Sequence, residues 1–173
     1  LAESLASYAR DEAGLVAGAG HLRDFTASTA GLAARVEALT ARIDALALWS
    51  SGEQHARAAL IAARVRSGSV RECHGDLHLG NIVLLDGAPV LFDAVEFNAD
   101  LRFIDVMSDV AFTFMHLIDH GIPSLAWRFV SAYIEHTGDY EGLALLRLYA
   151  VYRALVRAKV ALIRQQQPQV AQH

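Results

Sequence analysis

The chain has few of the residues that mark several classes of protein. Among its 173 residues is one cysteine, Cys73, so no intrachain disulfide is possible, and we expect a reducing, cytoplasmic compartment. Its apolar stretches are interrupted by Arg, Asp or His well before about 20 residues, so no membrane span is predicted. Its 15 basic and 19 acidic residues give no indication of nucleic-acid binding.

Lysine is almost absent, and early glycines are few. Lys159, near the end of the sequence, is the only lysine. Gly14, Gly18 and Gly20 form the one early glycine cluster, but no predicted strand precedes them. A glycine-rich nucleotide loop needs such a strand, so we interpret this cluster as a linker that ends a helix.

Most of the chain is predicted to be helical. Apolar residues recur at three- and four-residue spacing in six segments, which cover about residues 1–13, 29–49, 51–67, 101–120, 123–136 and 140–164. Glycines follow several of these segments, as they do at helix ends. The last segment is apolar nearly all round, so we expect a largely buried helix. The predicted fold class is mostly α with a small β-hairpin element (α+β).

The most informative segment is 73–93, which reads Cys-His-Gly-Asp-Leu-His-Leu-Gly-Asn-Ile-Val-Leu-Leu-Asp-Gly-Ala-Pro-Val-Leu-Phe-Asp. A strand over 70–73 leads into it. Two apolar runs then flank Asp86-Gly87, which favours a tight hairpin because both positions tolerate positive φ. That hairpin would return Asp93 towards Asp76 and Asn81. The converging oxygens would suit a divalent cation such as Mg²⁺ and the phosphates it carries.

The order His74-x-Asp76-x-x-x-x-Asn81, followed by Phe92-Asp93, resembles the catalytic loop and metal-binding acid of protein-kinase-like phosphotransferases. The full wording, His-Gly-Asp-Leu-His-x-Gly-Asn-Ile, is similar to that of the aminoglycoside phosphotransferase family. The resemblance covers about residues 70–165. It implies the helical C-lobe of a protein-kinase-like fold.

The resemblance implies a role for each residue of the motif. Asp76 would be the catalytic base that accepts the proton of the acceptor hydroxyl, and Asn81 and Asp93 would bind Mg²⁺. His74 and Asp109 would order the loop through its backbone. Taken singly, each of these residues is explained as well by a turn or a cap. Together, around one hairpin, they favour the functional interpretation.

Asp109 belongs to a second segment whose sequence is similar to a motif of the same family. The order Asp105-Val-Met-Ser-Asp109-Val-Ala111 is similar to an Asp-x-x-x-Asp-Leu-Ala stretch that follows the catalytic loop in the same family. The resemblance implies that Asp105 caps the helix that carries both acids.

Four further residues are candidates for substrate contact or for support of the site: His78, Glu96, Arg153 and Arg157. His78 either faces the substrate or fills a polar position. Glu96 follows the metal acid closely enough to reach a metal or a cationic substrate, or it lies on a solvated helix start. Arg153 and Arg157 share a helix stripe with Arg164. They either pair with acids of the preceding helices or line a site for an anionic substrate group.

Kinase-like enzymes also use an N-lobe lysine beneath a glycine-rich loop to hold ATP phosphates. The sequence begins with Leu1, and Lys159 lies on a predicted helix. We therefore expect an N-terminal nucleotide-binding lobe to be missing from it. Residues 1–69 would be a helical segment packing on the lobe, residues 70–165 the catalytic core and residues 166–173 a polar tail. Alone, these residues should bind ATP·Mg²⁺ weakly and transfer no phosphate.

The resemblance implies an enzyme that uses ATP and Mg²⁺ to phosphorylate a hydroxyl of a small molecule. The family acts on aminoglycosides, choline, sugars and related metabolites, so the motif does not name the acceptor. A kinase-like module or regulatory fragment that binds partners without catalysis is the alternative. A two-metal phosphoesterase, suggested by Gly75-Asp76-Leu77-His78, is rejected because Ile82 rather than His follows Asn81 and no Asp-x-His lies upstream.

Overall fold

The structure is a computed structural model that describes the backbone of residues 12–166 and the side chains of residues 27–164. Its helices are α1 Glu12–Arg66, α2 Ala99–Arg102, α3 Val106–Asp119, α4 Pro123–Thr137 and α5 Leu143–Gln166. Its strands are β1 Val70–Glu72, β2 Ile82–Leu85, β3 Ala88–Leu91 and β4 Phe103–Asp105. The predicted fold class, mostly α with a small β-hairpin element, is confirmed in that the structure is mostly helical with small two-stranded antiparallel sheets. Two compact units divide between Trp49 and Ser50.

Helix α1 runs without interruption through both places where the sequence predicted a break. Separate helices over 29–49 and 51–67, and a linker at glycines 14–20, were therefore wrong predictions. Proline is absent from residues 12–66 and alanine is abundant. An interior glycine costs a helix about 1 kcal/mol relative to alanine, which such an alanine-rich segment tolerates. The helix predicted over 1–13 lies, apart from its last two residues, outside the described residues.

Strands β2 and β3 form the predicted hairpin. Ile82 is paired with Leu91, and Leu85 with Ala88. The two turn residues, Asp86 and Gly87, have φ values of 52° and 80°. A two-residue type I′ turn requires positive φ at both positions. The hairpin prediction is confirmed.

A second small sheet was not predicted. Strand β1 pairs antiparallel with β4, and Val70 lies opposite Asp105. The sequence predicted one helix over 101–120 here, which is wrong because the chain forms the short helix α2, the extended strand β4 and only then α3. The side chain of Asp105 accepts a hydrogen bond from the backbone N–H of Met107 at 2.9 Å. This cap starts α3 at Val106, several residues after the expected position.

Helices α3, α4 and α5 enclose the main core. Its buried apolar members are Met107, Val110, Ala111, Val130, Ile134, Leu145, Leu146 and Leu148. Pro123 opens α4, and Gly138 closes it with a φ of 72°, as predicted for this helix. None of the helices within residues 12–166 combines the length and the apolar character needed to cross a membrane.

Only the first part of α5 is buried, so the prediction of a largely buried last helix is wrong. Leu145 and Leu148 are at most 5% exposed, whereas Leu162 and Ile163 are 60% and 46% exposed. With 24 residues, α5 is about 36 Å long at about 1.5 Å per residue, and the 14 residues of α3 span only about 21 Å. Helix α3 therefore cannot cover the whole of α5.

Arg64, near the end of α1, is bonded to the segment before α3 and to the segment between α4 and α5. It is 2% exposed and donates to both carboxylate oxygens of Asp105, with Nε–Oδ2 at 2.7 Å and Nη2–Oδ1 at 2.8 Å. It also donates to Asp139, between α4 and α5, with Nη1–Oδ1 at 2.5 Å and Nη2–Oδ2 at 2.8 Å. Hydrogen bonds to Asp105 and then Asp139 raise the pKa of Arg64 further. The sequence analysis gave Arg64 no role.

We expect Arg64→Met to lower the free energy of unfolding by about 3–5 kcal/mol, because it leaves two acids without their cation in a buried site. Urea unfolding monitored by circular dichroism measures this change. The matched control is Arg66→Met, since Arg66 is exposed in the same turn. Equal stability of the two variants would contradict the structural role of Arg64.

Candidate active site

The loop after β1 is held by a side chain of α3. Asp109 Oδ2 accepts hydrogen bonds from the backbone N–H groups of His74, at 2.8 Å, and Gly75, at 3.1 Å. Asp109 is 6% exposed, and these bonds are charge-assisted, which makes them stronger than bonds between neutral groups. Asp109 is thus hydrogen-bonded to the backbone of the loop that carries the motif.

Two further residues on the same face of α3 continue this contact along the loop. Thr113 Oγ1 donates to the carbonyl oxygen of Leu77 at 2.7 Å. His116 Nδ1 accepts from the backbone N–H of Leu79 at 3.2 Å. Positions 109, 113 and 116 are four and three residues apart, so they share one helix face. The loop backbone is thus bonded to α3 from its start to its end.

Arg153 of α5 supports the loop from the other side. Arg153 is 6% exposed; its Nη1 donates to the carbonyl oxygen of Gly75 at 2.9 Å, and its Nε donates to Ser108 Oγ at 3.1 Å. Nη2 lies 3.6 Å from Asp109 Oδ1, and burial lowers the pKa of Arg153. Gly75 has a φ of 83°, and a Cβ there would lie 2.8 Å from the carbonyl oxygen of Leu101. Only glycine fits between these supports.

His74 connects the loop to the segment that carries Asp93. Its Nε2 lies 2.9 Å from the carbonyl oxygen of Phe92, and its own carbonyl oxygen accepts from the N–H of Val95 at 2.9 Å. Asp93 itself has a φ of 60°. A left-handed backbone costs a residue with a Cβ about 1–2 kcal/mol, although aspartate tolerates it better than most. The fold therefore holds Asp93 in an orientation that a relaxed chain would avoid.

Asn81 lies between the two acids of the motif. Its Nδ2 donates to the backbone oxygen of Asp76 at 3.0 Å and to Asp76 Oδ2 at 3.3 Å. Its backbone oxygen accepts from the N–H of Phe92, the neighbour of Asp93, at 3.1 Å. Asn81 is 6% exposed, whereas the Asp76 side chain is 43% exposed and Asp93 is exposed. Asn81 is thus bonded both to Asp76 and to the neighbour of Asp93.

A cavity of about 830 Å³ opens at these residues and is lined by Asp76, Asp93, Glu96 and Arg153 among others. Its carboxylates are the hard oxygen donors that Mg²⁺ prefers, and the Asn81 amide, which does not line the cavity, is hydrogen-bonded to Asp76 behind them. Among the described residues, no three His, Cys, Asp or Glu side chains are grouped so that they could hold a metal ion. An Mg²⁺ ion held by Asp76 or Asp93 would therefore need phosphate oxygens and water to complete its ligands.

The remaining candidates lie around this centre. His78 Nδ1 accepts from the N–H of Gly80 at 3.0 Å, so Nε2 carries the hydrogen of the neutral ring. That Nε2 lies 3.5 Å from Asp76 Oδ2. Glu96 is exposed at the large cavity. Arg157, in contrast with the buried Arg153, is exposed and lines a second cavity.

Sequence reasoning missed Thr113 and His116. The available signal was a run of polar residues on a helix that is otherwise apolar: Ser108, Asp109, Thr113 and His116 are all buried. Burial lowers the pKa of His116 to about 4, with smaller contributions from Arg157, His120 and His78. His116 is therefore neutral at pH 7, as an acceptor at Nδ1 must be.

This pKa predicts how stability depends on pH. Between about pH 6.5 and 4, the unfolded chain binds a proton at His116 that the folded chain does not bind. The free energy of unfolding should therefore fall as the pH is lowered through this window, and the full contribution of His116 should be present above it. His116→Gln should flatten this slope, and His136→Gln, at an exposed histidine, should not. Urea unfolding at intervals between pH 7 and 4 measures the difference, and an unchanged slope in His116→Gln would contradict it.

Comparisons with known proteins identify the family of the chain. The chain is similar to uncharacterized proteins of Mycobacterium bovis and of two strains of Mycobacterium tuberculosis, each 39% identical over 108 residues. The match covers 62% of this chain and 22% of each relative, so the chain spans only a part of their length. No solved structure matches it significantly. Residues 2–146 match the model of the phosphotransferase enzyme family, APH, and the chain belongs to that family.

Proposed function

We propose that this chain carries the catalytic base and the metal ligands of an ATP- and Mg²⁺-dependent phosphotransferase that acts on a hydroxyl of a small molecule. The observation that carries the proposal is the position of Asn81. Its side chain is bonded to Asp76, and its backbone is bonded to the residue before Asp93. Family membership supports the reaction class, and the helical unit around the site would be the C-lobe of a kinase-like fold.

Asp76 is the proposed base. Its side chain is 43% exposed at the large cavity, and the bond from Asn81 Nδ2 fixes its direction. In the reaction, an acceptor hydroxyl oxygen forms a bond to the terminal phosphorus of ATP, the bond from phosphorus to the ADP oxygen breaks, and the hydroxyl proton passes to an Asp76 carboxylate oxygen. Catalysis of this transfer depends mainly on positioning and charge stabilisation, so the fixed direction of the Asp76 carboxylate is its main contribution.

Asn81 and Asp93 are the proposed metal ligands. When bound, Mg²⁺ would neutralise charge on the phosphate oxygens. The chain itself contributes the fixed places of these ligands, through the Phe92 N–H bond to Asn81 and the His74 contact with Phe92. His74 and Asp109 therefore act by positioning the loop, and Asp109 does so together with Arg153.

We expect Asp76→Asn in the full-length protein to lower turnover by about 10²–10⁴-fold, because the variant keeps the shape of the side chain but loses the proton acceptor. ADP release from ATP·Mg²⁺ in the presence of a panel of hydroxyl compounds measures turnover, and thermal unfolding should change little. Asp100→Asn, at an exposed acid of α2, is the control. Undiminished turnover in Asp76→Asn would remove Asp76 from the role of base, whereas absence of turnover in the wild type would favour a kinase-like module without catalysis.

Asp93→Asn should raise the Mg²⁺ concentration needed for half-maximal activity by tenfold or more on an order-of-magnitude estimate, because the site loses its charged ligand. Asparagine also tolerates the left-handed backbone at this position, so the variant should fold. The KM for ATP should rise more than the KM for the acceptor. The reverse result would move Asp93 into the acceptor site.

A further inference from the structure

Asp76 lies at the junction of two cavities. The larger one also contains the carboxylates of Asp93 and Glu96. The smaller one, of about 210 Å³, is lined by Asp76, His78, Phe112, Val156, Arg157, Val160, Ala161 and Arg164. Among the described residues that line it, Asp76 is the only acid. The sign of the surrounding charge therefore changes from one side of Asp76 to the other.

The proposed function, on which this inference rests, assigns a role to each cavity. A catalytic base must reach the acceptor hydroxyl while that hydroxyl faces the phosphorus. The proposed metal ligand Asp93 lines only the larger cavity. The larger cavity is then the side of the phosphate donor, and the smaller one is the side of the acceptor.

The two arginines of the smaller cavity are available to a ligand. Arg157 and Arg164 are both exposed, and within the described part of the chain neither forms an ion pair. They are seven residues apart on α5, so they lie on one face about 10 Å apart along its axis. Arg153, on the same stripe, is instead bonded to Gly75 and Ser108.

We propose that the smaller cavity is an acceptor subsite for an anionic group, a carboxylate or a phosphate ester, on the hydroxyl compound that is phosphorylated. A guanidinium group binds either anion through two parallel N–H donors. The cavity is smaller than the roughly 300–1,000 Å³ of most ligand pockets, so it suits one group of the acceptor. The acceptor hydroxyl would then lie at Asp76, with the anionic group directed towards Arg157 and Arg164.

Matched acceptors test the charge requirement in the full-length protein. Hydroxycarboxylic acids are compared with their amides, and sugar monophosphates with the parent sugars, by ADP release from ATP·Mg²⁺. We expect at least one of the two anionic series to be used with a kcat/KM about tenfold or more above that of its neutral partners. The series that is used distinguishes a carboxylate from a phosphate. Equal use of charged and neutral partners would overturn the proposal.

Substitutions then locate the subsite. Arg157→Gln and Arg164→Gln should each raise the KM for the anionic acceptor about tenfold or more while leaving the KM for ATP within about twofold. Arg128→Gln, at an exposed arginine of α4 that lines neither cavity, should leave both values unchanged. An unchanged acceptor KM in both variants, or a larger effect on ATP, would overturn the proposal. The proposed function would still stand if Asp76→Asn abolished transfer.

Anion binding provides a test that does not need turnover. Inorganic phosphate and succinate are titrated against the full-length protein in thermal unfolding, with chloride at equal ionic strength as the reference. We expect a rise in Tm in the wild type and in Asp76→Asn, and its loss in the Arg157→Gln/Arg164→Gln double variant but not in Arg128→Gln. Absence of the rise in the wild type, or its persistence in the double variant, would overturn the subsite whether or not the protein transfers phosphate.

Discussion

The buried ion pair between Arg64 and Asp105 sets the position of the helix on which the site is built. Asp105 caps α3 through the N–H of Met107 and accepts two hydrogen bonds from Arg64. Removing these charges from water costs several kcal/mol per ion, so the pair adds little net stability compared with an apolar contact of the same size. Its consequence is geometric, because an acid with these partners can occupy only one place. The first turn of α3 is fixed there, and Asp109 follows one turn later.

Several backbone groups of the loop are hydrogen-bonded by side chains. Within the described residues no strand pairs with the chain between β1 and β2, and buried backbone groups require partners. Asp109 accepts a hydrogen bond from the N–H of Gly75, and Arg153 donates one to the carbonyl oxygen of Gly75. Thr113 adds a bond to the carbonyl oxygen of Leu77. Phosphoryl transfer depends on placing a hydroxyl in line with phosphorus, so a loop fixed at its backbone is a suitable support for Asp76.

How far the sequence predicted this structure depended on whether each feature was local. The hairpin followed from Asp86-Gly87, because turn geometry is determined by adjacent residues. The motif residues were assigned through their resemblance to a known family. Strand β4 and the role of Arg64 were missed, because both depend on partners about 30 to 75 positions away along the chain. The helix break predicted at glycines 14–20 was wrong because a single glycine lowers the stability of a helix only slightly. The prediction that α5 is largely buried was wrong because apolar periodicity does not show where a neighbouring helix ends.

The arginines on one face of α5 differ in burial because α3 is shorter than α5 and covers only part of it. Arg153 and Arg157 are four residues apart and therefore point in similar directions. Arg153 lies where α3 covers the helix, so it is buried and bonds to Ser108 and Gly75. One turn later, the side chain of Arg157 is exposed and borders the cavity beside Asp76. The position of each arginine relative to the end of α3 thus decides whether its charge is buried against the loop or exposed at the cavity, and the sequence pattern alone contains no measure of that position.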